Sequence, residues 1–133
     1  MGEHVVDRVV KLMTQRKVHV VDSNVLILGL AFKENCPDIR NTRVIDLVTA
    51  LRDYHAKVDV YDPWVDAADA HEEYDLTLLE SLPKHHYDAI IVAVAHDQFR
   101  DMGIEKIRTL GKSDCIVFDV KHLFPKQCTT GRL

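Results

Sequence analysis

Residues 24–43 constrain this chain more than any other stretch. Asn24 leads into the apolar run Val25-Leu26-Ile27-Leu28, which stops at Gly29. A continuous apolar run without alternation is the pattern of a strand buried on both faces, as in a parallel sheet. The chain then turns polar and cationic, through Lys33, Arg40 and Arg43, before a helical pattern begins. A strand therefore delivers three cations near its carboxyl end, and in open α/β sheets that edge is where ligands bind. The intervening loop, about ten residues, is long for a strand-to-helix joint, and long loops there are often functional.

The rest of the chain repeats the strand–helix theme. Upstream, Val5, Val6, Val9, Val10, Leu12 and Met13 fall at helical spacing opposite Asp7, Arg8, Lys11 and Gln15. This predicts an amphipathic helix of about four turns. It precedes the first strand with no sheet of its own to cap, so residues 1–20 read as the end of a connecting helix from a longer protein. Residues 21–133 read as one domain. A helix is expected over residues 43–54, with Asn41 or Thr42 as its N-cap. The alternating Lys57-Val58-Asp59-Val60-Tyr61 predicts a second strand, ended by Asp62-Pro63 because proline offers no N–H to a ladder. A short helix is expected within residues 64–74 and a brief strand at 76–79. Residues 89–94 give the most hydrophobic strand signal, with His96 just beyond. A short helix over 104–110, a strand over 115–119 and a loose polar tail from Lys126 complete the reading. Strands alternating with helices imply a parallel sheet with right-handed crossovers. The predicted fold is α/β: a small, doubly wound, Rossmann-like parallel sheet of about five strands behind a connecting helix.

Composition excludes several classes. The net charge of −4 argues against a general nucleic-acid binder. No apolar run approaches the roughly 20 residues of a membrane span, and the first residues lack the features of a signal peptide, so the chain reads as cytoplasmic. Three cysteines without a CxxC pair indicate neither a disulfide framework nor a zinc site. His85-His86 reads as a solvated pair, and no metal site is expected.

The usual dinucleotide fingerprint is absent. Gly29 stands alone at the first turn, where GxGxxG needs two more glycines. Any phosphate contact must then come from side chains, for which Lys33 and Arg40 are placed. Spacing alone leaves open whether Lys33, Arg40 and Arg43 bind a ligand or pair with Glu34 and Asp38. Cys36 has no nearby base in sequence and reads as a packing residue, as does Cys115. Asp62, His96 and Lys121 fall at or beyond strand ends on the same sheet edge. Asp62 is expected to cap the turn after its strand rather than bind a ribose. His96 lines a ligand cleft or donates to a carbonyl. Trp64 and Phe99 read as packing residues.

Five motifs occur in order: Gly29-Leu30-Ala31-Phe32-Lys33, Asp38-Ile39-Arg40-Asn41-Thr42-Arg43, Tyr61-Asp62-Pro63, Ala93-Val94-Ala95-His96 and Phe118-Asp119-Val120-Lys121. Together they resemble the carboxyl-terminal, UDP-binding domain of the UDP-glucose/GDP-mannose dehydrogenase family, over almost the whole chain. The continuous stretch from Phe32 to Arg43, Phe-Lys-Glu-Asn-Cys-Pro-Asp-Ile-Arg-Asn-Thr-Arg, is most similar to the branch that oxidises UDP-N-acetylhexosamines for surface polysaccharides. The resemblance implies an enzyme that oxidises C6 of a nucleotide sugar from alcohol to carboxylate and consumes two NAD per sugar. It implies that Phe32, Lys33 and Lys121 contact the UDP moiety and that Arg40 reaches the NAD pyrophosphate across the cleft. The glycine-rich NAD turn and the catalytic cysteine motif are absent here, and Cys36 does not match the family's nucleophile. The expected partners are a UDP-sugar, the amino-terminal NAD domain and middle domain of the same protein, and a second copy in a homodimer. No catalytic residue is expected in this stretch. The competing reading is a stand-alone Rossmann-like nucleotide-binding or protein-interaction module.

Overall fold

The computed structural model describes residues 2–132. Its order is α1 (Gly2–Gln15), β1 (Asn24–Leu28), α2 (Val44–Asp53), β2 (Lys57–Tyr61), α3 (Ala67–Tyr74), β3 (Tyr87–Val92), α4 (Asp97–Arg108), β4 (Gly111–Asp119), a 3-10 turn (Lys126–Cys128) and β5 (Gly131–Arg132). The strands form one sheet in the order β2-β1-β3-β4-β5, and every pairing is parallel. The order reverses between β1 and β3. In doubly wound sheets such a reversal opens a crevice outside the carboxyl ends of those two strands.

The two sheet faces bury separate cores, as the period-2 alternation of strand side chains requires. On one face Val25, Ile27, Ala89, Ile91, Ile116 and Phe118 pack with Val5, Val9 and Met13 of α1 and Leu47, Val48 and Leu51 of α2. On the other, Leu26, Leu28, Ile90, Val92 and Val117 pack with Phe99 and Ile107 of α4. The opening helix, expected as a connector, thus seals one face of this sheet with its apolar stripe. Arg8 of α1 also lies 5.5 Å over the Phe118 ring.

Several boundaries depart from expectation, among them the start of β4, at Gly111 rather than near Cys115. The tail is not loose: Thr130 donates its N–H to Val117 O, Gly131 and Arg132 pair with Phe118 and Asp119, and the outer edge of β4 is covered. A two-residue strand has no periodicity to read, and the demand it meets, an otherwise unpaired edge, is tertiary. The fourth helix begins seven residues earlier than the pattern indicated, because buried Phe99 anchors an extra segment ahead of Gly103. Gly103, at φ +78, breaks the helix in two and so disrupted the pattern in sequence. The brief strand expected at 76–79 is reduced to a single bridge between Val60 and Leu78.

Cys115 lies in the core, as expected, and burial together with nearby Asp88 pushes its thiol up to about 12. Half-buried Cys36 and Cys128 are expected to react with a thiol reagent in the native chain. Cys115 should react only after unfolding, so three rapidly modified thiols in native buffer would contradict this core.

Candidate functional site

The crevice outside β1 and β3 is built by the joint that follows β1. Gly29 adopts φ +104 and donates its N–H to Tyr61 O at 2.8 Å, which turns the chain off the sheet. Leu30 and Ala31 then donate to Asp62 Oδ2 at 2.7 and 2.9 Å. Asp62 Oδ1 accepts from Trp64 and Val65, so the carboxylate caps its own turn, as expected, and also ties down the neighbouring one. Further on, the Thr42 hydroxyl donates to Leu30 O at 2.7 Å and accepts from Val44 N–H at 3.2 Å. Thr42 therefore closes the loop and satisfies the first turn of α2, one residue before the structural N-cap, Arg43.

This scaffold presents Phe32, which is 57% exposed, together with Lys33. Both line a cleft of about 120 Å³, with Arg43 from the start of α2, Val94 beyond β3 and Lys121 beyond β4. Among the described residues Glu34 is the one acid on its wall. Among the described residues, neither Lys33 nor Lys121 has an ion-pair partner within 4.0 Å. Three cations against one acid, beside an apolar ring and the amino end of a helix, suit an anionic ligand with a flat apolar part. A larger depression of about 470 Å³ between His85, Arg108 and Cys115 lies at the amino ends of the strands, away from the converging motifs.

Arg40 and His96 stand elsewhere. Arg40 does not line the cleft. Its guanidinium forks onto Asp38, with Nε–Oδ1 and Nη2–Oδ2 both 3.1 Å, and its side chain is 80% exposed. The side-chain and backbone hydrogen bonds from Arg40 hold the Asp38 carboxyl below its ordinary range. His96, expected to line a cleft or donate to a carbonyl, does neither. Its ring is fully buried, with Nε2 2.9 Å from Asp62 Oδ2 and Nδ1 2.9 Å from the Asn35 amide nitrogen. The physical reason is the turn after β3, which folds the ring under the loop instead of toward solvent. Asn35 carries a loop-fixing role that sequence reasoning missed, and Thr42, expected only as a helix cap, also holds the loop through Leu30 O. A short polar side chain in a polar loop gives no periodic signal.

The first turn also bears on cofactor binding. In a dinucleotide site the turn after the first strand offers its N–H groups to a pyrophosphate. Here those of Leu30 and Ala31 are already engaged by Asp62. This turn therefore does not fit the phosphates of NAD. No group of three or more metal-ligating side chains converges among the described residues, and no helix of the structure is long and apolar enough to cross a membrane.

Residues 26–126 match the model of the UDP-glucose/GDP-mannose dehydrogenase family, UDP binding domain. The chain is 48% identical over 133 residues to a UDP-N-acetyl-D-glucosamine 6-dehydrogenase of Pseudomonas aeruginosa, covering 100% of this chain and 32% of that protein. The homologous enzyme of Salmonella typhi is also 48% identical, with 31% of its length covered. The chain thus spans about a third of these relatives. In fold it resembles NDP-N-acetyl-D-galactosaminuronic acid dehydrogenase of Methanosarcina mazei, with a TM-score of 0.84 at 21% identity over 96% of this chain and 26% of that one. The UDP-D-ManNAc dehydrogenase of Pyrococcus horikoshii gives 0.80 at 22% identity, covering 99% and 30%.

Proposed function

The chain belongs to the UDP-glucose/GDP-mannose dehydrogenase family as its UDP-binding domain, and from that membership we propose that it holds the nucleotide part of a UDP-N-acetylhexosamine for an NAD-dependent 6-dehydrogenase of surface polysaccharide biosynthesis. The observation that carries this reading is the convergence of Phe32, Lys33 and Lys121 on one cleft at the β1/β3 switch point. Lys33 and Lys121 bind the diphosphate through charge-assisted hydrogen bonds, and the exposed face of Phe32 packs on the base. Arg40, held outward by Asp38, contacts NAD bound elsewhere in the full-length enzyme.

In the proposed overall reaction a CH₂OH at C6 and one water become a carboxylate. Two NAD⁺ take up two hydrides and three protons are released. NAD supplies the hydride acceptor, and this chain's residues bind and orient the nucleotide end. Catalysis, homodimer formation and a cytoplasmic setting belong to the full-length enzyme in this reading. The 133-residue chain alone is expected to produce no NADH from a UDP-sugar and NAD⁺.

An amide-resolved NMR titration of the chain tests the reading. UDP is expected to shift the resonances of Phe32, Lys33, Arg43 and Lys121, and NAD to leave them in place. Lys33→Ala should weaken UDP binding roughly 10- to 100-fold, the effect of losing a charge-assisted bond of about 1.5–3 kcal/mol. Unmoved resonances with millimolar UDP, or a Lys33→Ala chain that binds UDP as the parent does, would overturn it.

A further inference from the structure

The Asp62–His96 pair lies beneath the ligand-facing loop, and both side chains are fully buried. A backbone N–H can only donate, so His96 Nδ1, 2.9 Å from the Asn35 amide, is an unprotonated acceptor. The ring proton therefore sits on Nε2 and points at Asp62 Oδ2, 2.9 Å away. Both ring nitrogens are used, and the tautomer follows from the partners. Trp64 and Phe99 pack about the ring, with centroids 6.2 and 5.5 Å away.

The pair joins three crossovers. Asp62 Oδ2 holds Leu30 and Ala31 after β1, and Oδ1 holds Trp64 and Val65 after β2. His96 itself follows β3 and passes the link on to Asn35. Asn35 Oδ1 in turn accepts from the Asp97 N–H at the start of α4, at 3.0 Å. Phe32 and Lys33 are thus gripped on both sides, by Asp62 at Leu30 and Ala31 and by His96 at Asn35. The second ring nitrogen of His96 reaches into the loop that bears the cleft residues.

We propose that Asp62 and His96 are positioning residues that set Phe32 and Lys33 at the spacing a nucleoside diphosphate requires. The inference rests on the reading of the cleft given above. His96 acts through the loop backbone and touches no ligand.

Two isosteres separate the halves of the link in the 133-residue chain. In His96→Asn the side-chain oxygen takes the place of Nδ1 and keeps the Asn35 contact. In His96→Gln the amide NH₂ takes the place of Nε2 and keeps the Asp62 contact. His96→Gln is expected to lose hydrogen-exchange protection at the Asn35 amide and to bind UDP about tenfold more weakly. His96→Asn should keep that protection and bind within about threefold of the parent. In the parent, ¹⁵N spectra of the imidazole should show Nε2 protonated and Nδ1 bare. A proton on Nδ1, or unchanged Asn35 exchange and UDP affinity in His96→Gln, would overturn the proposal. If the parent binds no UDP, the nucleotide reading fails by itself. Asn35 exchange and the imidazole spectrum still decide whether the pair fixes the loop.

Discussion

Asp62→Ala is expected to destabilise the chain by about 3–5 kcal/mol, read as a lowered urea midpoint at pH 7 with little change in slope. The carboxylate accepts from four backbone N–H groups and from His96, and its side chain is fully buried. Each buried donor left without a partner costs about 1–3 kcal/mol, although water entering the vacated space recovers part of the sum. Against a typical total stability of about 5–15 kcal/mol, the loss is a large fraction. Asp62→Asn should be nearly as harmful. It keeps the shape but places an NH₂ opposite either the Leu30, Ala31 and His96 donors or the Trp64 and Val65 donors. The pH dependence distinguishes charge from shape. Burial pushes the Asp62 carboxyl up, but the hydrogen bonds from His96, Leu30, Ala31 and Trp64 together outweigh it and leave the group below 3.8. A carboxyl with a depressed folded value stabilises above its unfolded value and loses that contribution as pH falls through the folded one. Below about pH 4, parent and Asp62→Asn stabilities should therefore converge. An Asp62→Asn chain as stable as its parent at pH 7 would show that the turn amides are satisfied without the carboxylate.

The sheet was largely legible in the sequence, because its signals are local. β2 falls on the five alternating residues Lys57–Tyr61, and β1 and β3 on the two continuous apolar runs, shifted by one or two residues. What escaped was set by distant parts of the chain. β5 exists because β4 has an open edge, and the first part of α4 exists because Phe99 has a pocket on the sheet. The same division holds at the cleft. Strand-end spacing gathers Phe32, Lys33 and Lys121 on one edge, since parallel strands all present their carboxyl ends there. Spacing does not give the direction of a side chain. Arg40 turns to Asp38, two residues away, while Arg43, one helical turn from Asp46 at 4.0 Å, lines the cleft. His96 stands at the right edge but faces inward, and that depended on the Asn35 amide and Asp62 being there to receive both nitrogens.

Gly29→Ala is expected to cost about 2–4 kcal/mol and to lower the thermal midpoint by on the order of 10 °C. Two separate terms add. Gly29 holds φ +104, where any side chain is strained, at about 1 kcal/mol or more. An alanine Cβ would also stand 2.6 Å from Val94 Cβ, 2.8 Å from its Cγ2 and 3.0 Å from its backbone nitrogen, an overlap worth about 1–3 kcal/mol. Second-site changes tell the terms apart. Val94→Ala removes Cγ2 but leaves the nearest atom, so it should restore little of Gly29→Ala. Val94→Gly removes both side-chain atoms and should restore most of the steric part, leaving the 3.0 Å backbone contact and the strain at residue 29. The consequence reaches the cleft, because Val94 lines it and Gly29 starts the turn that carries Phe32 and Lys33. Pushing the β1 and β3 crossovers apart should therefore weaken UDP binding more than a mutation of equal cost in the core, such as one at Ile107 on the opposite face. Equal UDP affinities in two such variants, compared at a temperature where both are folded, would mean that the cleft tolerates a shift in the turn beneath it.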